Sequence, residues 1–362
     1  MEQHTLRRRG TGLRGVDQDK VSPGYVLYSP LTSNTAHLVS TDGTEAHRWT
    51  LPYRAGRHSR ILPNGNLAYN GVHPDAPHLF PMWSKYRGGM MLQVDPHGKI
   101  QKQYSDPYAH HDQNHLDDGT ILYTTLEPLT PAEAARVRGG IPGSEAPDGK
   151  LTQTASSLSI RDFEGAGTGG AKLLWSWRAI DHLDGEDFAA HQHYPREHWP
   201  LINSVSFDSE GNIIASSRNA SSVFVISRAN GEVLWRIAAP TVCQQHCAHQ
   251  INEEGDMLVL DNGVFRPGLA MPFSRAIVVS KDKQVKWEYK DRSTGGLGFF
   301  TPSWDGEMAW EFVVPHLQDY KAVMDQQELA QMEAIGFSYQ SNAIFRAYKY
   351  LPEEIPWLQK EK

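Results

Sequence analysis

The sequence predicts an all-β chain, a β-propeller of six blades with one blade shortened, carrying a helical insertion and a short C-terminal helix. Three observations carry this reading. Short apolar strands alternate with turns that contain glycine. The same strand–turn–strand phrase returns several times at a spacing of roughly 40–60 residues, the period of propeller blades. A large aromatic residue closes most copies of the phrase, as expected where neighbouring blades pack on one another.

The elements follow in chain order. Residues 1–23 read as a flexible N-terminal arm ending near Pro23. GYVLYSP opens the first strand, and TAHLVSTDGTEAHRWTL forms a hairpin turning at Asp42-Gly43 and closing on Trp49. The Asp-Gly pair suits the positive φ angles of tight hairpins. MLQVDPHGKIQKQY repeats the phrase at His97-Gly98, SVFVISRANGEVLW at Asn230-Gly231 and AIVVSKDKQVKW at Asp282-Lys283. LLWSW and DGEMAW are partial copies. A second phrase alternates with the first: RHSRILPNGNLAYN, HHDQNHLDDGTILYTT, INSVSFDSEGNIIASS and HCAHQINEEGDMLVLDN. These copies give five to six blades, and six is adopted.

Residues 125–172 break the pattern with a helical run, TPAEAARVR, and a Gly-rich stretch, so they read as an insertion or as degraded blade strands. GAGTGGAK lacks the spacing of a phosphate-binding P-loop. Residues 293–310 are short for a blade, which is therefore truncated or completed by the N-terminal segment. LQDYKAVMDQQELAQMEAIG reads as an amphipathic helix and SNAIFRAYKYLP as a last strand. The expected organisation is a single propeller domain over 24–352, with a C-terminal tail at 353–362.

Composition narrows the function. The 362 residues carry a net charge of −7, which argues against nucleic-acid binding because that needs a basic surface. No stretch approaches the roughly 18–20 apolar residues of a membrane span, and no apolar segment follows Arg7, Arg8 and Arg9. Two cysteines in CQQHC make no disulfide framework. The expectation is a soluble, cytoplasmic protein without nucleic-acid or membrane partners.

The 17 histidines cluster. Counting five residues upstream from the last apolar residue before each turn of the second phrase reaches Arg57, His111, Ile202 and His246, positions expected to be equivalent in successive blades. His111 and His246 thereby become the leading candidates. Arg218 joins them as a fixed fork for an oxyanion. Each could instead be a hydrogen-bonded core histidine or a structural ion pair. His110, His115, His191, His193, His198 and His249 are second-rank, and His58, His110, His193, His198 and Asn203 are taken as candidate substrate-binding residues. Cys243, His246, Cys247 and His249 could by ligand type hold zinc or copper, although their spacing matches no strong zinc pattern. No cofactor is expected.

INSVSFDSEGNIIASSRNASSVFVISRANGEVLW, QHCAHQINEEGDMLVLDNG and SRAIVV, with WEFVVP, WSWRAIDHLD and GYVLYSP, resemble the bacterial-type arylsulfate sulfotransferases, a six-bladed propeller family. The resemblance spans most of residues 24–352 and is weakest over 125–172. It implies sulfuryl transfer from a phenolic sulfate ester to another phenol through a sulfohistidine, without a nucleotide sulfate donor. It implies His246 as nucleophile, with His111 and Arg218 binding the sulfuryl oxygens. Where the family usually has a histidine two residues before its Asn-Ser pair, this chain has Leu201. Two other readings stay open: a metal-dependent propeller hydrolase, lyase or oxidoreductase, and a non-catalytic propeller that binds a small anion or a protein.

Overall fold

A computed structural model describes residues 12–19, 21–80, 82–144, 154–163, 171–183, 185–268, 273–290, 298–302, 308–313 and 347–360. The amphipathic helix expected over 317–336, the Asp305-Gly306 turn and most of the Gly-rich stretch lie outside them. The chain divides into two compact units, residues 1–107 with 163–171 and 292–362, and residues 108–162 with 172–291.

The first unit begins with β1 (Gly12–Val16), β2 (Tyr25–Tyr28), β3 (Thr35–Ser40) and β4 (Glu45–Thr50). Next come β5 (Ala55–Ile61), β6 (Leu67–Val72), α1 (Trp83–Tyr86), β7 (Gly89–Val94) and β8 (Ile100–Ser105). The second unit holds β9 (Ala109–His115), β10 (Thr120–Pro128), α2 (Pro131–Ala134), β11 (Thr154–Asp162), β12 (Leu173–Arg178), α3 (Ala179–His182) and β13 (His198–Trp199). It continues with β14 (Ile202–Phe207), β15 (Ile213–Ser217), β16 (Ser222–Ile226) and β17 (Val233–Ala238), then β18 (His246–Gln250), β19 (Met257–Asp261), β20 (Arg275–Val279) and β21 (Val285–Lys290). β22 (Gly298–Pro302), β23 (Met308–Val313), β24 (Ala347–Tyr350) and α4 (Pro356–Lys360) return to the first unit.

The strand order within each sheet is that of propeller blades: β5-β6-β7-β8, β9-β10-β11-β12, β14-β15-β16-β17 and β18-β19-β20-β21 are antiparallel meanders, and β13 adds to β11 in parallel. A fifth four-stranded sheet, β24-β2-β3-β4, takes its first strand from the far end of the chain. The fold is all-β and built of β-propeller blades. The shortened copy is a three-stranded sheet, β22-β23-β1, in which Gly12↔Val313 and Val16↔Trp310 pair. Part of the segment expected to be a flexible arm is therefore a strand, because β23 offers an open edge to it.

The turns form as the dipeptides dictate. Gly43, Gly98 and Gly231 all have φ near +80°, and Lys283 takes the glycine position of its turn at φ 64°. The blade tryptophans pack between sheets and also donate to them. Trp49 Nε1 reaches the Asp95 carbonyl at 3.1 Å, Trp177 the Gly231 carbonyl at 3.0 Å and Trp235 the Lys281 carbonyl at 2.7 Å. Each bond satisfies an indole N–H, fully buried in Trp49 and Trp177 and part-exposed in Trp235, and fixes one blade's outer strand to its neighbour's turn. Apolar cores follow the same joints: one cluster joins Leu122, Leu158 and Trp177 to Ile202, Ile213 and Phe224, and another joins Ile214 and Val223 to Val259 and Ile277. The TPAE run starts α2 because Thr130 and Glu133 form a reciprocal capping box around Pro131. No helix among the described residues is long and apolar enough to cross a membrane.

Candidate functional site

In the second unit the first strand of every blade is bulged where the polar residues fall. β9 is interrupted at His111 and Asp112, β14 at Asn203, and β18 at Cys247 and Ala248. His111 sits at φ 30° and Cys247 at φ 56°. An extra residue in a strand re-aims side chains, and non-glycine residues at positive φ cost conformational energy that a packed site can hold. β9 carries one more residue than β18 between its turn and the bulge. The register consequently pairs His110 with Thr124, and His246 with the corresponding Leu260. His110, and not His111, shares the position of His246, so counting back from the turns misplaced the equivalence by one. The β14–β15 hairpin closes from Asp208 N to Asn212 O, so Phe207 was likewise one residue off.

The site is built from hydrogen bonds between these strands. The Asp112 carboxylate accepts from Val205 N at 2.9 Å and from Gln113 N at 3.0 Å, tying β9 to β14. Asn203 Nδ2 donates to the Gln245 carbonyl at 2.8 Å, and Ser206 Oγ to that of Ala248 at 3.1 Å, tying β14 to β18. Gln245 Nε2 in turn reaches Ser216 Oγ, the Ser217 carbonyl and the Ser222 carbonyl. Asn203 is fully buried, and its Oδ1 has no hydrogen-bond partner.

His110, His111 and His198 come together. His110 Nδ1 lies 2.8 Å from His111 Nδ1, His110 Nε2 lies 3.3 Å from the Thr125 carbonyl, and the His110 and His198 rings meet edge-on with centroids 5.0 Å apart. His198 Nε2 contacts Ser156 Oγ at 3.1 Å, and the same hydroxyl accepts from Ile202 N. Burial, and then the charge of His110, push the His198 pKa well below its ordinary value, so His198 is neutral.

His246, at the start of β18, is half-buried, and its Nδ1 lies 2.6 Å from Asn262 Oδ1 just beyond β19. An amide carbonyl only accepts, so Nδ1 carries the hydrogen and the lone pair of the neutral ring is on Nε2. Asn262 is in turn held by its neighbours. Asp261 is fully buried, accepts from Cys243 N and Gly263 N, and pairs with Arg266 and Arg275.

Arg218 follows β15. Its backbone N–H donates to the Leu201 carbonyl at 2.8 Å, and its guanidinium lies 4.9 Å from the centroid of the Tyr194 ring. Burial raises the Tyr194 pKa against the opposing charge of Arg218. His193 is exposed and stacks with His191 and Phe265, at 5.0 and 4.2 Å between centroids, and Phe265 also stacks on His191 at 4.5 Å. Burial, and then His193, lower the His191 pKa. Leu201 is buried at φ 58° and brings no titratable group to its position. His58 lies on β5 of the first unit, buried, with its ring 5.9 Å from that of Tyr348.

Cys243 and Cys247 are not joined by a disulfide. Burial raises the Cys243 thiol pKa, and the His249 ring turns back to the Cys247 carbonyl at 3.0 Å. Among the described residues no three His, Cys, Asp or Glu side chains group to hold one metal ion. A hollow of about 260 Å³ lined by Arg136, Arg138, Ile180, Leu183, Gly185, Glu186 and Trp199 includes none of the candidate site residues. Its chemistry matches nothing in the histidine cluster, whose bonded geometry defines the site better than concavity does.

Sequence reasoning missed Asn262, Ser156, Asp112, Tyr194 and Phe265. Asp112 follows the two histidines of HHD directly, and Asn262 lies in the DNG turn after a strand, so both had a local signal.

Polar side chains gathered at the bulged first strands of successive blades mark a propeller protein. A model of the arylsulfotransferase (ASST) family matches residues 25–251, a span that includes His111, Arg218 and His246. The chain belongs to the arylsulfotransferase family, and its general activity class is arylsulfotransferase-like. No curated protein matches it. Among solved structures it is similar to a protein of unknown function from Bacteroides caccae, at 11% identity and a TM-score of 0.39 over 75% of this chain and 95% of that one. It is also similar to the hydrazine synthase of Kuenenia stuttgartiensis, at 11% identity and a TM-score of 0.41 over 76% and 68%. Scores this low carry no argument about function.

Proposed function

We propose that the protein moves a sulfuryl group from a phenolic sulfate ester to a phenolic acceptor, with His246 as nucleophile and no nucleotide sulfate donor. The observation that carries this reading is the 2.6 Å contact of His246 Nδ1 with Asn262 Oδ1. It supports a tautomer with the ring lone pair on Nε2 and a hydrogen on Nδ1, whose bond to Asn262 strengthens as the ring gains charge.

In the first half-reaction Nε2 forms a bond to sulfur, the S–O bond to the phenol breaks, and the ring becomes an N-sulfoimidazolium. In the second, the acceptor phenol gives up its proton, in exchange for the phenolate released in the first, its oxygen bonds to sulfur, the N–S bond breaks, and His246 returns to neutral. The transferred group is anionic throughout. Arg218 supports the reading as a permanent cation on the loop after β15, and His111 as a second polar contact for the sulfuryl oxygens. The aromatic surround of Tyr194, His193 and Phe265 suits an aryl substrate. Asn203 Oδ1, buried and without a partner, can take the hydroxyl of a bound phenol.

Mixing the protein with para-nitrophenyl sulfate should release a burst of nitrophenol equal to the enzyme concentration, and leave a sulfuryl adduct on the peptide that contains His246. His246→Asn should abolish both. Undiminished turnover by folded His246→Asn would refute the assignment.

A further inference from the structure

His191 and His193 flank the exposed Gln192 on one loop of the second unit; His191 is half-buried and His193 exposed. The two imidazoles and the Phe265 ring are inclined to one another by only 6–17°, and every pair of centroids is 4.2–5.0 Å apart. A column of three stacked rings would hold its end members at roughly twice the stacking distance. No pair here is that far apart, so the two imidazoles lie side by side on one face of Phe265. Their Nδ1 edges turn to each other across 3.2 Å.

That spacing suits a metal chelate. Two imidazole nitrogens, each about 2.0–2.1 Å from one ion, stand about 2.9 Å apart at a right angle and about 3.3 Å apart at the tetrahedral angle. The observed gap lies between these limits, and stacking on Phe265 holds the two rings nearly coplanar. Burial, and then His193, lower the His191 pKa, so that ring offers a lone pair at neutral pH. No third His, Cys, Asp or Glu among the described residues joins the pair. The other coordination positions therefore belong to water, the arrangement of an open, exchangeable site rather than a closed structural one. Imidazole nitrogen suits zinc, nickel and copper ions, whereas magnesium and calcium take oxygen ligands.

We propose that His191 and His193 chelate one divalent transition-metal ion of the zinc, nickel or copper class through their Nδ1 atoms. The site uses none of Cys243, His246, Cys247 or His249, and it stands independently of the sulfuryl transfer proposed above. The ion comes and goes with its concentration in solution. When bound, it adds positive charge beside Tyr194, whose ring meets Phe265 edge-on at 6.1 Å and lies 4.9 Å from the Arg218 guanidinium.

The test uses the full chain, free of any affinity tag and stripped with a chelator, and Zn²⁺ alone as the probe. Ring nitrogen shifts of the ¹⁵N-histidine-labelled protein, assigned through backbone connections, should show the Nδ1 resonances of His191 and His193 moving together over the first equivalent of Zn²⁺. Mg²⁺ should leave both in place. Calorimetric titration should give one Zn²⁺ per chain, and His191→Gln and His193→Gln should each lose that binding event while thermal unfolding confirms the fold. His193 is exposed, so its replacement leaves the packing intact. Resonances of the pair that ignore Zn²⁺, as expected if the two nitrogens only share a hydrogen, would overturn the proposal. So would a first equivalent that moves His246 or His249 instead, or a His193→Gln protein that binds as tightly as wild type. A chain that binds Zn²⁺ here yet never forms sulfo-His246 would sink the sulfuryl transfer and leave this site standing.

Discussion

Asn262→Leu is the most direct perturbation of the nucleophile. It removes the carbonyl that fixes His246 Nδ1 at 2.6 Å without touching His246. A neutral hydrogen bond contributes about 1 kcal/mol, and one to a charged partner about 1.5–3 kcal/mol. The ring is neutral before attack and cationic once the N–S bond has formed, so about 0.5–2 kcal/mol is available to the transition state alone. At about 1.36 kcal/mol per tenfold, the burst should slow by about 2–30-fold. Loss of the preferred tautomer adds to this, because leucine no longer excludes a hydrogen from Nε2. Rapid-quench measurement of nitrophenol release reads the rate, and thermal unfolding checks the fold. Asn262→Asp keeps an acceptor and adds charge, so its burst should match or exceed wild type while transfer from the sulfohistidine slows. A folded Asn262→Leu protein with a wild-type burst would show that the contact does not set the nucleophile.

His198 is held neutral by burial, with its folded pKa pushed below the unfolded one. Its contribution to stability is complete above about pH 6.5 and is lost as pH falls towards the folded value, by up to about 1.4 kcal/mol per pH unit. Denaturant midpoints at neutral and mildly acidic pH should therefore diverge less in His198→Gln than in wild type; an unchanged divergence would refute this. Asp112→Ala leaves the buried N–H groups of Val205 and Gln113 without their acceptor and should cost about 2–4 kcal/mol by denaturant unfolding. Asp112→Asn, which keeps an acceptor, should cost less. Tyr350→Phe removes the hydroxyl that accepts from Ile61 N at 2.8 Å, and should destabilise the protein by about 1–3 kcal/mol.

The blade pattern was legible because turn chemistry and strand alternation are local. Asp42-Gly43 and Asn230-Gly231 announce hairpins whatever surrounds them, and Trp49, Trp177 and Trp235 mark the outer strands that pack on the next sheet. His246 and the His110–His111 pair could be singled out because they recur near the same point of the repeat. Their exact equivalence could not, since a bulge adds residues without any compositional mark and shifts the count by one in β9. Asn262 and Ser156 are single polar residues in no periodic context, and only the folded register brings them to His246 and His198. His193 was a candidate substrate-binding residue, and the structure places it in an exposed stack with His191 and Phe265.

The pairing of β2 with β24 has a consequence for biosynthesis. Tyr25 faces Tyr350 and Tyr28 faces Ala347, so the sheet begun at β2 is finished only by a strand synthesised long afterwards. Until β24 emerges, β2 presents an open row of N–H and C=O groups, and β1 waits likewise for β23. Such long-range closure makes folding slow and leaves a sticky edge exposed throughout translation. A chain stopped before residue 347 keeps that edge for good, so release of truncated products should end in aggregation or proteolysis rather than in a smaller working enzyme.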